Sequence, residues 1–358
     1  MNDLTKNFST KLEAIFLENN AKKFPKKIAV AVSGGADSLA LTLMLDEFCR
    51  VKKIKIFALT VDHKMRRSSS QEALELQKIL RAKKISHQIL TIDQEKIPQK
   101  NIEAKLREAR YELLCEFCVK NKIEFLFLGH QLEDVAENFL IRLFRGSGLD
   151  GLSSMEMLSE RSKIKLVRPL LDYEKDQLKF FLKSKKVKWF EDETNQDEKF
   201  LRNKMRKFFE SFPDKKLIQK RIKNSADEIA KMRDFFDEVM LNEAREILSL
   251  NQFGYFLVDV KKLQKTTEKI ALKILALVAM EVSGKIYKPR LEKLKIFYDF
   301  LLQEKKNKSR NFYGCVVKKY DSKKIIIFCD GADLARQNPI NFRTILKKIF
   351  NENSVGTN

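Results

Sequence analysis

The stretch "IAVAVSGGADSLAL", Ile28 to Leu41, decides the fold. Five apolar residues rich in Val and Ile read as a buried strand, and a helical pattern begins by about Leu39. Between them lies a turn with two adjacent glycines, two serines and one aspartate. Glycines let the backbone approach a ligand and adopt positive φ, and the free N–H groups of a helix's first turn point at whatever sits there. That is an anion-binding geometry, and a phosphate group suits it. Ser33 and Ser38 can add hydroxyl donors, and Asp37 can ligate a magnesium ion riding on phosphate oxygens. The turn is neither G-x-x-x-x-G-K-[ST] nor G-x-G-x-x-G, which excludes a Walker A loop and a dinucleotide fingerprint. A bare Gly-Gly pair would be read more simply, as a bend with Asp37 or Ser38 as N-cap.

Outward from this turn, residues Ile28 to about Trp189 alternate short apolar runs with helical stretches, the pattern of βαβ units and a doubly wound parallel sheet. The predicted strands are "IAVAV", "KIFALTV", "SHQILTI", "FLFLG" and "VKWFE". Ser70 to Lys83 and Asn101 to Lys120 are predicted helices, with apolar residues recurring every three or four positions. Each strand hands the chain to a loop at the sheet's carboxyl edge, where open α/β sheets bind ligands. Beyond Asn203 the segments beginning at Leu217, Thr266 and Arg290 read as amphipathic helices without intervening buried strands. "YGCVVKKYDSKKIIIFCDG", Tyr313 to Gly331, is a predicted hairpin within a small α+β part. "SFPDKK" interrupts the helical pattern, so a domain boundary is expected at Phe212–Pro213, giving parts 1–212 and 213–358.

The bulk composition narrows the function. Of 358 residues, 71 are Lys or Arg and 49 Asp or Glu, a formal charge of +22 that points to a polyanionic partner. The longest apolar run, Ile274 to Met280, is far short of the roughly 18 residues a membrane span needs, so no membrane partner is expected. The N-terminus lacks a signal-type apolar core, and Cys49, Cys115, Cys118, Cys315 and Cys329 form no disulfide pattern. Both features lead to an expected cytoplasmic location.

The string S-G-G-x-D-S between strand and helix resembles the pyrophosphate loop (PP-loop) of the N-type ATP pyrophosphatases, which split ATP between its α and β phosphates. The resemblance implies an adenine nucleotide alpha hydrolase-like fold. Within that superfamily, "VDHKMRRSSSQEA", "NIEAKLREARYELL", "GHQLEDVAENFLIRLFRGSGLDGL", "RPLLDY" and "EDETNQDEKFLRNKMR" resemble the tRNA(Ile)-lysidine synthetase family over roughly residues 25 to 210. The resemblance implies an ATP- and magnesium-dependent ligase. Such an enzyme joins free L-lysine to C2 of the wobble cytidine, position 34, of a CAU-anticodon tRNA(Ile). It works through an adenylated base and releases AMP and pyrophosphate. A homodimer is compatible with the family.

The resemblance places ATP on Ser33, Gly34, Gly35, Ala36, Asp37, Ser38 and His63, with Asp37 as a magnesium ligand. It places catalysis on Asp37, His130, Asp134, Glu137, Arg110 and Arg202. Helical spacing puts Asp134 and Glu137 on one face, where paired carboxylates suit an ammonium group, a metal or a proton to be accepted. Glu133 is read equally as a solvated acidic helix start. His130 and His63 end strands at the catalytic edge, whereas His87 opens one and reads as scaffold. Arg110, Arg202 and Arg206 are candidates for a carboxylate, the α-phosphate or the tRNA backbone. Asn101 and Glu103 are candidates to position ATP or tRNA, and "RGSGLDGL" reads as a glycine-bearing loop near the substrate. Gln131, Glu133 and Asn138 stand where the family pattern has His, Asp and Thr. A tRNA cytidine thiolase is the main alternative, because Cys115 and Cys118 could hold a cluster or relay sulfur. Their apolar helical surroundings favour core packing instead. An NAD synthetase-like ligase fits the charge poorly, and a nonenzymatic RNA binder would not need Ser33, Asp37 and Ser38 together.

Overall fold

A computed structural model describes residues 2–19, 23–62, 67–92, 102–153, 155–191, 201–250, 255–285, 288–303, 309–320 and 323–329. The chain forms two compact units, one ending at Ala230 and the other beginning at Lys231.

In the first unit, helix α1 (Asn2–Asn19) precedes the alternation β1 (Lys27–Ala31), α2 (Ala36–Lys52), β2 (Lys55–Asp62), α3 (Arg67–Ala82), β3 (Ser86–Thr91), α4 (Ile102–Lys120) and β4 (Phe125–Phe127). Then come α5 (Leu132–Phe144), the short α6 (Leu149–Leu152), the strands β5 (Leu158–Arg161) and β6 (Ile164–Val167), α7 (Lys175–Ser184) and α8 (Leu201–Glu210). The sheet order is β3-β2-β1-β4-β6-β5, parallel throughout except for the antiparallel β5–β6 pair at one edge. Strand β1 is buried on both faces, as its unbroken apolar sequence requires. Ile28, Val30 and Val32 join one core with α1, α2, α3 and α7, while Ala29 and Ala31 join another with Tyr111, Leu114, Cys115 and Cys118 of α4.

This winding sets the site. The chain leaves β1 toward β2 on one side and returns through α4 to β4 on the other, so the order reverses between β1 and β4. The crevice at such a reversal is the ligand position of doubly wound sheets. The predicted strands at Ile28, Lys55, Ser86 and Phe125 and the helices near Ser70 and Asn101 are all present. "VKWFE" is not a strand: Val187 to Glu191 carries no ladder and runs outside the sheet. The β5–β6 hairpin, absent from the sequence reading, takes the place beside β4 instead.

Helix α9 (Lys215–Ile247) follows the break expected at Phe212–Pro213, and the division between the units falls within it. The second unit continues with β7 (Leu248–Leu250), β8 (Phe256–Asp259), α10 (Val260–Lys265), α11 (Glu268–Ser283), α12 (Leu291–Leu302), β9 (Arg310–Phe312), β10 (Cys315–Lys319) and β11 (Lys324–Cys329). Its strands form an antiparallel sheet of order β7-β8-β11-β10-β9, against which α11 and α12 bury Ile274, Leu275, Val278 and Phe297. The predicted hairpin is β10–β11, pairing Val317 with Ile327. The expectation of helices without buried strands is corrected by β8, where Phe256 and Val258 are fully buried. Among the described residues no helix is long and apolar enough to cross a membrane.

Gly129, just past β4, fixes how closely the two strand exits meet. A Cβ there would stand 2.9 Å from Cα and 3.0 Å from N of Ser38, both backbone atoms in the first turn of α2. Gly129→Ala should therefore cost about 2 kcal/mol of stability. Urea unfolding checks this, and an unchanged midpoint would contradict the close approach.

Candidate active site

The turn after β1 is built as its residues require. Gly34 has φ +86°, a left-handed conformation available to glycine at no steric cost. Gly35 is the N-cap of α2 in an extended conformation and supplies no side chain to the helix's first amides. Those N–H groups lack intrahelical partners and face the crevice with the positive end of the helix dipole. The two serines brace the loop. Ser33 N donates to Ser38 Oγ at 3.1 Å, the hydroxyls lie 3.1 Å apart, and Ser38 Oγ donates to the Gly35 carbonyl at 3.1 Å.

Asp37 sits in the first turn of α2 with Oδ1 buried and without a hydrogen-bond partner. Burial pushes its carboxyl up to about 6, and the neighbouring Asp134 adds to this; Lys175, Lys179 and Arg206 pull the other way. On the next two strands of the sheet, His130 follows β4 and Arg168 follows β6. His130 Nδ1 and Arg168 Nε are likewise buried without partners. Burial lowers the His130 imidazole to about 4 against the pull of Asp134, with Arg168, Arg107 and Arg202 also lowering it, so the ring is neutral near pH 7. The same guanidinium is anchored through Nη1, which donates to the Glu156 carbonyl and Ser159 Oγ at 2.9 Å each. Three adjacent strands, β1, β4 and β6, thus each end in a buried polar atom with nothing to bond.

Helix α5 leaves the β4 exit as an acidic face. Gln131 caps it reciprocally with Asp134: its side chain accepts from Glu133 N, and Gln131 N donates to Asp134 Oδ2 at 3.2 Å. Glu133 accepts from Lys175 N at 3.0 and 3.2 Å, so its carboxylate closes the first turn of α7, and burial pushes it up to about 7. Arg202 and Arg206, one turn apart on α8, grip the other two acids. Arg202 Nη2 meets Asp134 Oδ1 at 2.9 Å, Arg202 Nε meets Glu137 Oε2 at 2.8 Å, and Arg206 Nε meets Glu137 Oε1 at 2.8 Å. Glu137 is 3% exposed, and each of its oxygens accepts from a guanidinium. Asp134, Glu137, Arg202 and Arg206 are therefore one charge network.

Arg110 lies within α4, its guanidinium pKa lowered by burial, and Arg107 of the same helix is among the charges that lower His130. Glu103 also lies on α4, while His63 and Asn101 fall outside the described residues. His87 is half-buried on β3, its Nε2 2.8 Å from Thr60 Oγ1 and its Nδ1 buried without a hydrogen-bond partner. Cys115 and Cys118, 2% and 0% exposed, pack under the sheet with Leu126 and Ile164, which fits core packing. "RGSGLDGL" forms a turn and α6, with Arg142 Nη1 donating to the Gly151 carbonyl at 2.6 Å. A surface cleft of about 830 Å³ is lined by residues of α1 and α7 such as Lys11 and Phe180, and by Tyr173 just before α7. Sequence reasoning passed over Arg168, Lys175 and Lys179, whose only signal was their place in or after "RPLLDY". Among the described residues no three His, Cys, Asp or Glu side chains form a complete metal site. The unbonded oxygen of Asp37 offers one ligand to a cation whose shell is completed by others.

Strand, glycine turn and uncapped helix at a sheet's switch point form a phosphate-binding α/β site, and residues 4–211 match the PP-loop domain family. Over 325 residues the chain is 33% identical to the tRNA(Ile)-lysidine synthase of Wolbachia pipientis wMel, covering 88% of this chain and 74% of that protein. It is 32% identical to the tRNA(Ile)-lysidine synthase of Orientia tsutsugamushi, covering 84% and 69%. A solved structure titled U34-tRNA thiolase NcsA from Methanococcus maripaludis with its [4Fe-4S] cluster superposes with a TM-score of 0.49 at 19% identity, covering 63% of this chain and 78% of that one. The chain belongs to the PP-loop family and, within it, to the tRNA(Ile)-lysidine synthases.

The burial of Asp37 has a stability consequence. Its carboxyl ionises near 3.8 when solvated but only at about 6 in the fold, so stability falls as pH rises between those values. Asp37→Asn should raise the thermal midpoint at about pH 8, and the gain should shrink toward zero at about pH 4. Calorimetry at the two pH values checks this; a destabilised variant at the higher value would contradict the buried, partnerless oxygen.

Proposed function

We propose that this chain ligates lysine to C2 of the wobble cytidine of a CAU-anticodon tRNA(Ile), consuming ATP and releasing AMP and pyrophosphate. The observation that carries the reading is the row of partnerless buried atoms, Asp37 Oδ1, His130 Nδ1 and Arg168 Nε, at the ends of three neighbouring strands. Buried polar atoms are ordinarily hydrogen-bonded, so a row of exceptions marks where a ligand's atoms belong. The family supplies which ligand.

In the first half-reaction the cytidine O2 attacks the α-phosphorus, an O–P bond forms, and the Pα–O bond to the β-phosphate breaks. The amides between Gly34 and Ser38, at the positive end of α2, hold the departing pyrophosphate. Arg168 and the amides meet the charge that develops on the α-phosphate, and the neutral His130 ring hydrogen-bonds to the base or the phosphate. Asp37 is the residue that would hold a magnesium ion, which when bound neutralises phosphate charge. In the second half-reaction the lysine amine forms a C–N bond at C2 as the C2–O2 bond breaks, and AMP leaves with that oxygen. Asp134 and Arg202, paired with each other in the free protein, would exchange that pairing for the ammonium and carboxylate that an amino acid carries on its α-carbon. The proton lost by the amine passes to a carboxylate or to His130. The +22 charge serves the tRNA backbone, with the basic C-terminal part, 213–358, as its grip.

The test is incubation with tRNA(Ile) transcript, ATP, magnesium and labelled lysine, followed by nucleoside analysis. Label at position 34 is expected with the wild-type chain, and Asp37→Asn should reduce it by about a hundredfold or more while remaining folded. No label with the wild type, or equal label with the variant, would refute the reading.

A further inference from the structure

The segment Val187 to Glu191 has the apolar alternation of a strand yet joins no sheet. Its backbone bond goes elsewhere: Phe190 N donates to the Gly34 carbonyl at 3.0 Å. Its ring follows. Two ring carbons of Phe190, Cδ2 and Cε2, lie 2.5 and 3.0 Å from where a Cβ on Gly34 would stand, so the ring fills the space that a glycine side leaves open. Gly34 is the residue with φ +86° in the phosphate loop. The segment is rooted below, since Val187 is buried, Trp189 and Phe190 pack on the main core, and Val187 N donates to the Leu182 carbonyl at the end of α7. Trp189 lies under the Lys179 ammonium, 6.0 Å from its ring.

We infer that Phe190 is a positioning residue for the phosphate loop. It clamps the Gly34 peptide through one backbone hydrogen bond and one ring edge, and so fixes the left-handed turn that aims the neighbouring amides at phosphate. A flexible glycine turn spends much of its time in other conformations, because glycine visits positive and negative φ with similar ease. An external clamp removes that freedom before ligand arrives, and preorganisation of this kind appears as affinity. The clamp also ties the loop to α7, whose Lys175 and Lys179 act electrostatically on Asp37. This inference rests on the ATP reading of the loop, and goes beyond it by naming a residue whose contact is with the loop's own backbone.

The experiment compares ATP binding and lysidine formation in the full-length wild type, Phe190→Ala and Phe190→Leu. Trp189, the single tryptophan of the chain, reports locally on the segment by its emission. Phe190→Ala should shift Trp189 emission to the red and raise KM for ATP about tenfold, with kcat at saturating ATP within about twofold and a lowered thermal midpoint from the lost core contact. Phe190→Leu, which keeps an apolar contact and the N–H, should recover most of the affinity. Should the alanine variant fail to fold, Phe190→Val, which shortens the side chain but keeps an apolar contact with the core, carries the same expectation in smaller degree. An unchanged KM for ATP in a variant whose Trp189 emission shows the segment released would overturn the clamp. Failure of the wild type itself to bind ATP would overturn the ATP reading and the clamp together, which separates the two failures.

Discussion

Everything in the first unit is arranged around a set of backbone amides that the helix α2 cannot satisfy by itself. The N-cap is a glycine without a side chain, the preceding residue is held at φ +86°, and the first turn points into the crevice between β1 and β4. Uncompensated amides and a helix dipole attract an anion, and burial makes that attraction strong because little water competes. The same burial penalises Asp37, whose carboxyl is held at about 6. The site therefore costs stability in the free protein, a trade often found where function needs charge in a dry place.

The second layer is an electrostatic seam. Asp134 and Glu137 on α5 face Arg202 and Arg206 on α8, and Glu137 has both oxygens committed. Breaking a buried pair leaves an uncompensated charge, so the seam is strongly directional even where its net contribution to stability is modest. Beneath it, Ala136, Leu140, Met205 and Phe209 pack the same two helices together. Apolar burial sets the distance between α5 and α8, and the four charges set their register beside the strand exits.

The local features of this fold were legible in the sequence because short-range chemistry determines them. A β-branched run, two glycines and an aspartate before a helical period fix strand, turn and helix at Ile28 to Leu41 without tertiary information. What was missed depended on pairing across distance. The β5–β6 hairpin turns at Ser162 and Lys163, with φ of +49° and +66°, so it lacks the Gly or Asn-Gly signal by which such turns are recognised. "VKWFE" was misread because its alternation is real, but its donor bonds Gly34 and not a neighbouring strand. Arg168 stood in a quoted motif, yet only the fold reveals that its Nε is buried beside His130 without a partner. The departures at Gln131 and Glu133 find reasons in geometry: the amide caps α5, and the longer glutamate arm reaches the first amide of α7.

The central claim is that the amides between Gly34 and Ser38 take up the phosphates of ATP. Hydrogen–deuterium exchange of those amides with and without the nucleotide tests it most directly. Slowed exchange at Gly35 to Ser38 on addition of ATP is the expected result. Unchanged exchange there, with new protection appearing only in some other part of the chain, would contradict it.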